Sequence, residues 1–279
     1  MEQYWHALTL AALPALGNYV VGLFTEFVPG VSRYLGQALQ LAAGIVLAVV
    51  GVELMPRVIT ASPPWVIVLA FIGGALLAVS VDKALDLLSD CTGEHDDSQR
   101  PWMVYFAVAT DFFNDGLMIG TATTISANLG LLLAVGQVSA DAPKGFATIA
   151  SFQDAEVPQA RRLLISATFA IPVLAGATIG YWLIRGEPEL PKLALLDFTA
   201  AVLTLTAVEH LMVQAHERRL NTTLHELILP AGFALFGCYR PTWTRRRLTT
   251  RPTRRSWRRP TCLQLRHYER PARTTLPSP

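Results

Sequence analysis

Charged residues are scarce in this sequence, and their scarcity is the first indication of its class. They make up 16% of the 279 positions, whereas 52% of the positions are hydrophobic. Soluble domains carry about 25% charged residues. The deficit, together with long apolar runs, argues against a soluble protein and predicts an all-α polytopic membrane protein.

Cysteine is also rare, and the three that are present form no recognisable pair. Cys91, Cys238 and Cys262 include no Cys-x-x-Cys motif, which argues against a disulfide framework and against a thiolate zinc site. The N-terminal Met-Glu-Gln-Tyr-Trp-His lacks the basic region of a cleaved signal peptide. We therefore expect the first hydrophobic segment to stay in the membrane.

The motifs of intramembrane proteases are missing as well. The sequence contains no Gly-x-Gly-Asp, and Leu229 stands where His225-Glu226 would need a second histidine to complete His-Glu-x-x-His. We therefore expect the protein not to be an enzyme. No cofactor is expected beyond a metal that is itself the substrate.

Apolar runs predict seven membrane-spanning segments and a weaker eighth. The seven cover about 8–24, 41–60, 65–81, 103–121, 129–150, 163–184 and 193–213, and the eighth would cover 224–239. The eighth is doubtful because its apolar run is shorter than the roughly 17 residues that a span needs. Segments two and seven resemble each other over 43–55 and 200–212, which indicates either an internal repeat or a chance likeness of apolar helices.

Basic residues in the short loops predict the orientation of the chain. One side would carry Arg33, Arg100, Arg161, Arg162, Arg218 and Arg219, and the other would carry Arg57, Arg185 and Lys192. The richer side is expected to face the cytoplasm. The predicted location is therefore the cell membrane, with the N-terminus outside.

Arginine becomes dense only near the C-terminal end. We divide the chain into a transmembrane domain over 1–239 and an Arg/Pro-rich tail over 240–279, which cannot bury a core and is expected to be disordered. A basic tract of this kind can bind anionic lipid or nucleic acid. The tail has no sequence pattern, which is also typical of a reading-frame accident in a GC-rich gene, and we favour this second interpretation. We predict no nucleic-acid partner.

Two of the apolar segments carry charge near their middle. Asp111 and Asp115 lie in the fourth segment, and Asp141 and Lys144 lie in the fifth. An ionisable side chain at the centre of a spanning helix costs roughly 2.5–3.5 kcal/mol on insertion scales, so these residues need a purpose. We interpret the two segments as the walls of a cation site.

Helical spacing places the polar residues of each segment on one face. Asp111, Asn114 and Asp115 are neighbours at i, i+3 and i+4, and Gln137, Asp141 and Lys144 form a matching stripe. Carboxylate and amide oxygens suit a divalent cation. A structural salt bridge between Lys144 and Asp115 or Asp141 is the alternative, but one lysine does not neutralise three aspartates.

The two charged motifs resemble the paired metal-binding motifs of the ZIP family of divalent metal transporters. That family has His-Asn-x-Pro-Glu-Gly in segment four and His-Glu-x-Pro-Glu-Gly in segment five. This sequence has Asp-Phe-Phe-Asn-Asp-Gly at 111–116 and Ala-Asp-Ala-Pro-Lys-Gly at 140–145. The stretches at 52–56 and 208–217 are similar to the family's segments two and seven, and the resemblance extends over about 8–236.

The resemblance implies about eight transmembrane helices in a 3+2+3 arrangement, with the metal held between helices four and five. Asp111 stands at the position of the first His, Asp115 at that of the shared Glu, and Asp141 at that of the second Glu. Phe112, Ala140 and Lys144 replace family ligands, which argues against a two-metal centre.

Four residues are predicted to lie along the pathway. Glu53 and Gln137 are assigned to a gate, although Glu53 could simply pair with Arg57 one turn away. Glu209 and His210 are assigned to a metal exit site, with helix capping near the interface as the alternative.

The sequence thus predicts a membrane transporter that moves a divalent cation, namely zinc, iron or manganese. The alternative is a non-transporting relative of that family which serves as a sensor or scaffold with a degenerate metal site. The expected partners are the metal ion and the lipid bilayer, and pairing with a second copy of the chain is left open.

Overall fold

Helices account for every element in the part of the chain that the structure describes. The structure is a computed structural model, and it describes residues 2–27, 35–92, 100–217 and 223–239. The predicted tail over 240–279 and the loop residues Arg33, Arg218 and Arg219 lie outside these ranges.

Eight helices run through the described ranges, three of them in more than one section. Helix α1 is Glu2–Phe27, α3 is Pro64–Thr92, α4 is Arg100–Ile125, α5 is Ala127–Asp154 and α8 is Thr223–Tyr239. Helix α2 begins as Leu35–Ala48, widens into a π-helical section at Val49–Leu54 and ends as Met55–Val58. Helix α6 comprises Gln159–Thr168 and Ala170–Ile184, and α7 comprises Glu189–Leu205, a π-helical section at Thr206–Leu211, and Met212–Glu217.

Local chemistry accounts for several of the helix ends. The hydroxyl of Ser126 caps α5 by accepting a hydrogen bond from the amide of Leu129 at 3.1 Å, so a single residue separates α4 from α5. Gly186 follows α6 with a φ of 86°, the left-handed conformation that glycine adopts without strain. Pro158 and Pro188 stand at the N-terminal caps of α6 and α7.

The helices extend beyond the apolar runs from which they were predicted. Helix α3 continues past the predicted end at 81 and includes Asp82. The predicted loop over 151–162 shrinks to the few residues between Asp154 and Gln159. An apolar run in the sequence marks only the part of a helix that would lie in the hydrocarbon core of the bilayer, whereas the helix itself can continue into the polar boundary region.

Within the described residues, five helices are long and apolar enough to cross a membrane: Glu2–Phe27, Gly36–Val58, Pro64–Ala84, Gln159–Ile184 and Glu189–Leu211. The predicted segments at 103–121 and 129–150, which lie in α4 and α5, are not among the five. Their apolar character is diluted by the polar residues that they bury against other helices. Helix α8 contributes only the shorter apolar stretch Leu227–Gly237.

Glycines allow the central helices to approach closely. Helix α4 packs along α6, and a Cβ atom placed on Gly116 or Gly120 would overlap backbone atoms of Val173 or Ala177. The converse holds for Gly176 on α6, where a Cβ would overlap the carbonyl oxygen of Phe113. Small residues at such crossings are typical of helix pairs in membranes.

The contacts of the first helices have counterparts among the last. Helix α3 packs on α7, and the corresponding pair is α8 on α2. Helix α4 packs on α6, and the corresponding pair is α5 on α1. The π-helical sections of α2 and α7 correspond to each other when the two helices are aligned by a single shift in residue number. In the same alignment Leu41 corresponds to Phe198. A Cβ on Gly232 of α8 would overlap the carbonyl of Leu41, and a Cβ on Gly74 of α3 would overlap the carbonyl of Phe198. This agreement favours an internal repeat over a chance likeness.

Candidate metal centre

The charged residues of the two central helices are buried. Asp115 and Asp141 are fully buried, and Asp111 and Lys144 are only 7% and 5% exposed. Helix α4 presents Asp111 and Asp115 one turn apart, and α5 presents Asp141 and Lys144 three residues apart. Because α4 and α5 pack against each other, the two polar stripes predicted from the sequence meet inside the helix bundle.

The three carboxylates come together at one point. One oxygen from each of Asp111, Asp115 and Asp141 lies within 4.8 Å of the others. Oxygens bonded to one cation stand at most roughly 5 Å apart for calcium and at most roughly 4.4 Å apart for zinc. The spacing of the trio is therefore compatible with one divalent ion shared by the three residues.

Lys144 places its ammonium group among these carboxylates. Its nitrogen lies 2.8 Å from an oxygen of Asp141 and 3.9 Å from an oxygen of Asp115, and it is in direct contact with Asp111. The pairing with Asp141 agrees with the sequence-based alternative, whereas the contact with Asp111 was not foreseen. The lysine thus holds α4 and α5 together through buried charge pairs.

Several polar atoms at the centre have no hydrogen-bond partner among the described residues. They are Oδ2 of Asp115, Oδ2 of Asp141 and Oε1 of Gln137. The other oxygen of Asp115 accepts a hydrogen bond from the side-chain amide of Gln137. Buried oxygens without donors are unfavourable unless a cation or water satisfies them, and these oxygens belong to the groups that would ligate a hard cation.

Helix α7 supports the centre from the side. The hydroxyl of Thr206, the first residue of the π-helical section, donates to Asp111 at 3.4 Å. The amide of Asn114 donates to the backbone carbonyl of Thr199 at 3.3 Å. Asn114 was predicted as a ligand, and the structure shows its amide nitrogen engaged with α7. Thr206 and Thr199 were missed, and the only signal for them was their polarity within an apolar run.

Helix α1 reaches the centre through one asparagine. Asn18 is fully buried, and neither of its side-chain polar atoms has a hydrogen-bond partner in the described part of the chain. A Cβ on Gly145 would overlap the amide oxygen of Asn18. Helix α1 therefore approaches α5 closely beside Lys144. Asn18 could have been found as the lone amide in an apolar segment.

Glu53, Glu209 and His210 are not members of the carboxylate trio. Glu53 lies in the π-helical section of α2 and pairs with Arg57 at 2.5 Å, which was the alternative to a gating role. Glu209 and His210 lie in the π-helical section of α7, where His210 is 3.5 Å from Asp82 of α3. Asp82 was missed because it follows the predicted end of its segment.

Two positions within the charged motifs at 111–116 and 140–145 are hydrophobic core. Phe112 is fully buried and stacks on Phe169 of α6, with 5.2 Å between ring centroids. Ala140 is also fully buried. Neither side chain offers an atom that could bind a metal, so the donors available at the centre are those of the aspartates and their polar neighbours.

No protein-family model matches this chain, and no curated protein matches it either. The apolar helices and the buried carboxylate trio are compatible with a metal-binding membrane protein.

Proposed function

We propose that the protein moves a divalent metal cation across a membrane through the site formed by Asp111, Asp115 and Asp141. The observation that carries the proposal is the convergence of three buried carboxylates within 4.8 Å, on two central helices of an apolar bundle. Ionisable residues inside a membrane are unfavourable and mark ion pathways in such proteins. The expected substrate is zinc, iron or manganese; an all-oxygen donor set suits manganese, and zinc also accepts carboxylate ligands.

Charge balance supports one bound ion. The three carboxylates would bring three negative charges if ionised, and Lys144 returns one positive charge. The remaining charge equals that of one divalent cation, whereas a second ion would leave an excess positive charge in a low-dielectric interior. Lys144 thus acts as a tethered cation in the proposed site.

The proposal includes the architecture that the ZIP-like motifs imply. The chain would span the cell membrane with eight helices in a 3+2+3 arrangement, with its N-terminus outside and its helices related by an internal repeat. The matched packing of α3 on α7 and of α8 on α2 supports this arrangement. In transporters built from repeats, the substrate site lies near the membrane midplane between the repeats. We propose no enzymatic activity.

One observation favours a second candidate function. The ammonium of Lys144 already contacts Asp111 and Asp141, so the carboxylates have a cation partner without any metal. A protein of this kind could use the site as a sensor or as a structural element and transport nothing.

Uptake into proteoliposomes separates the two functions. Purified protein would be reconstituted, and the entry of labelled zinc, manganese and iron would be followed for the wild type, for Asp115→Ala and for Glu189→Gln. Glu189 is an exposed carboxylate at the start of α7, so its variant controls for a general loss of negative charge.

A transporter should show saturable uptake of at least one metal, which Asp115→Ala abolishes and Glu189→Gln leaves intact. Equal, unsaturable entry in all three preparations would refute transport. If the wild type still bound metal in that case, the result would support the sensor or scaffold.

A further inference from the structure

Four aromatic side chains pack together where α1 begins and α6 ends. Between ring centroids, Tyr4 lies 5.4 Å from Tyr181, 5.8 Å from Trp182 and 5.8 Å from Trp5. The hydroxyl groups of Tyr4 and Thr178 are 3.3 Å apart, which joins the two helices at the same level. No member of the carboxylate trio belongs to this aromatic cluster, so the cluster is a separate feature of the molecule.

The aromatic cluster lies at the ends of two apolar helices. Glu2–Phe27 and Gln159–Ile184 are both long and apolar enough to cross a membrane. Trp5 and Trp182 are 61% and 50% exposed. Tryptophan and tyrosine are enriched where a spanning helix meets the lipid headgroups, because their rings combine apolar surface with a polar atom. The position of the cluster therefore matches the headgroup level of a membrane.

Arg185, the residue directly after α6, lies over the aromatic cluster. Its guanidinium carbon is 5.0 Å from the ring centroid of Trp182 and 5.8 Å from that of Tyr181, the distances of cation–π contacts. Arg185 is exposed, and no carboxylate in the described part of the chain forms an ion pair with it. The rings hold the planar guanidinium in place, and its side-chain N–H groups remain available to a ligand.

The chemistry of this arginine favours a phosphate group as the ligand. A guanidinium presents its donors in a planar fork that matches two oxygens of one phosphate. A membrane supplies phosphodiester groups at the headgroup level. A lipid also brings acyl chains, which can contact the exposed rings of Trp5 and Trp182, whereas inorganic phosphate has no such part. The surroundings of Arg185 therefore favour a lipid over a free anion.

Acidic residues beside Arg185 restrict the kind of lipid. Glu187 and Glu189 follow it closely in the sequence, and both are exposed and outside any ion pair among the described residues. These carboxylates would repel a lipid with a net negative charge. A zwitterionic headgroup instead offers a partner to each sign of charge.

The spacing of the two charges agrees with such a headgroup. A two-carbon link joins its phosphate to its ammonium group, and the Cα atoms of Arg185 and Glu187 are at most about 7 Å apart, as for any residues two positions apart. A primary ammonium group can donate hydrogen bonds to a carboxylate. The quaternary ammonium of choline has no N–H and cannot do so. Ethanolamine is therefore the better match.

We propose that this end of the molecule binds the headgroup of phosphatidylethanolamine. Arg185 binds the phosphodiester, and Glu187 binds the ammonium group. The rings of Trp5 and Trp182 contact the lipid where its headgroup meets the acyl chains. The site requires neither metal transport nor the carboxylate trio.

Titration of the delipidated, purified full-length protein in detergent tests the site. Phosphatidylethanolamine, phosphatidylcholine and phosphatidylglycerol with identical acyl chains would be added separately, and the bound lipid would be counted by native mass spectrometry. The wild type would be compared with Arg185→Gln and Glu187→Gln. Arg161→Gln and Glu156→Gln are matched controls, because they remove the same charges at exposed residues near the other end of α6. Inorganic phosphate serves as a competitor.

The proposal predicts saturable binding of phosphatidylethanolamine by the wild type and weaker binding of the other two lipids. Arg185→Gln should weaken this binding roughly tenfold, as expected for the loss of charge-assisted hydrogen bonds. Glu187→Gln should abolish the preference for phosphatidylethanolamine over phosphatidylcholine, because the ammonium group loses its partner. The two control variants should bind like the wild type, and inorganic phosphate should not displace the lipid.

Other results would overturn the proposal. Equal binding of the three lipids by the wild type would show, without any variant, that the headgroup is not recognised. Tighter binding of phosphatidylglycerol, or displacement of the lipid by inorganic phosphate, would reduce the site to a general anion site. Unchanged binding in Arg185→Gln, an equal loss in the control variants, or a preference for ethanolamine that Glu187→Gln retains would overturn it too.

Discussion

The ammonium nitrogen of Lys144 on α5 is in direct contact with the carboxylate of Asp111 on α4. This buried pair joins the two central helices at the level of the proposed metal site. The same nitrogen lies 2.8 Å from Asp141, three residues earlier on its own helix. Lys144 therefore both links the helices and lowers the negative charge of the trio.

Removing that positive charge should destabilise the metal-free protein. Lys144→Met keeps the length of the side chain but leaves three buried carboxylates without a cation. Breaking a buried ion pair in this way costs about 3–5 kcal/mol, so the melting temperature in detergent should fall clearly. Lys83→Met, at an exposed lysine on α3, is the control and should melt like the wild type. Equal melting of all three proteins in the absence of metal would show that Lys144 does not stabilise the centre.

Reversing the charge at the same position should change how many ions bind. Lys144→Glu adds a fourth carboxylate in place of the tethered ammonium, so the negative charge becomes sufficient for two divalent ions. We expect calorimetric titration to give one ion per chain in the wild type and two in Lys144→Glu. Two membrane-site ions in the wild type, or an unchanged single ion in the variant, would rule out the role given to Lys144.

Gln137 should tune the affinity of the site through its hydrogen bond to Asp115. Its amide donates to Asp115, which orients that carboxylate toward the trio. Losing a partner that orients a ligand typically costs about 10–100-fold in metal affinity, and we expect a weakening of this order in Gln137→Leu. Gln153→Leu, at an exposed glutamine further along α5, should bind like the wild type. Equal affinity in both variants would show that the hydrogen bond does not matter for binding.

The orientation of the chain can be tested at two helix starts. Gln159 is exposed at the start of α6, beside the basic residues expected to face the cytoplasm, and Glu187 is exposed just before α7. After replacement of the natural cysteines, an impermeant thiol reagent applied to intact cells should label Glu187→Cys and leave Gln159→Cys unlabelled. The reverse pattern would invert the topology.

The sequence alone predicted that the three aspartates belong to one cation site. Helical spacing placed Asp111 beside Asp115, and the apolar surroundings of Asp141 indicated that it faces the interior. Both expectations agree with the burial of these residues. The end of helix α6 near Gly186 could also be predicted from the sequence, because Gly186-Glu187-Pro188 is typical of a helix end.

Other features depend on contacts between helices, which a single sequence does not contain. The contact of Lys144 with Asp111 follows from the relative register of α4 and α5. The partners of Thr206 and Asn114 lie on other helices, and no local pattern specifies them. The π-helical sections at Val49–Leu54 and Thr206–Leu211 also have no signature in hydrophobic spacing. Such sections occur often at functional sites.

The central claim is that Asp111, Asp115 and Asp141 jointly bind one divalent cation. Manganese binding, measured on the purified protein by the loss of the free-ion electron paramagnetic resonance signal, tests this claim most directly. The wild type and Glu189→Gln should bind one ion per chain in the membrane domain, and Asp111→Asn, Asp115→Asn and Asp141→Asn should each lose that ion. Full binding in the three asparagine variants, provided that they remain folded, would contradict the account.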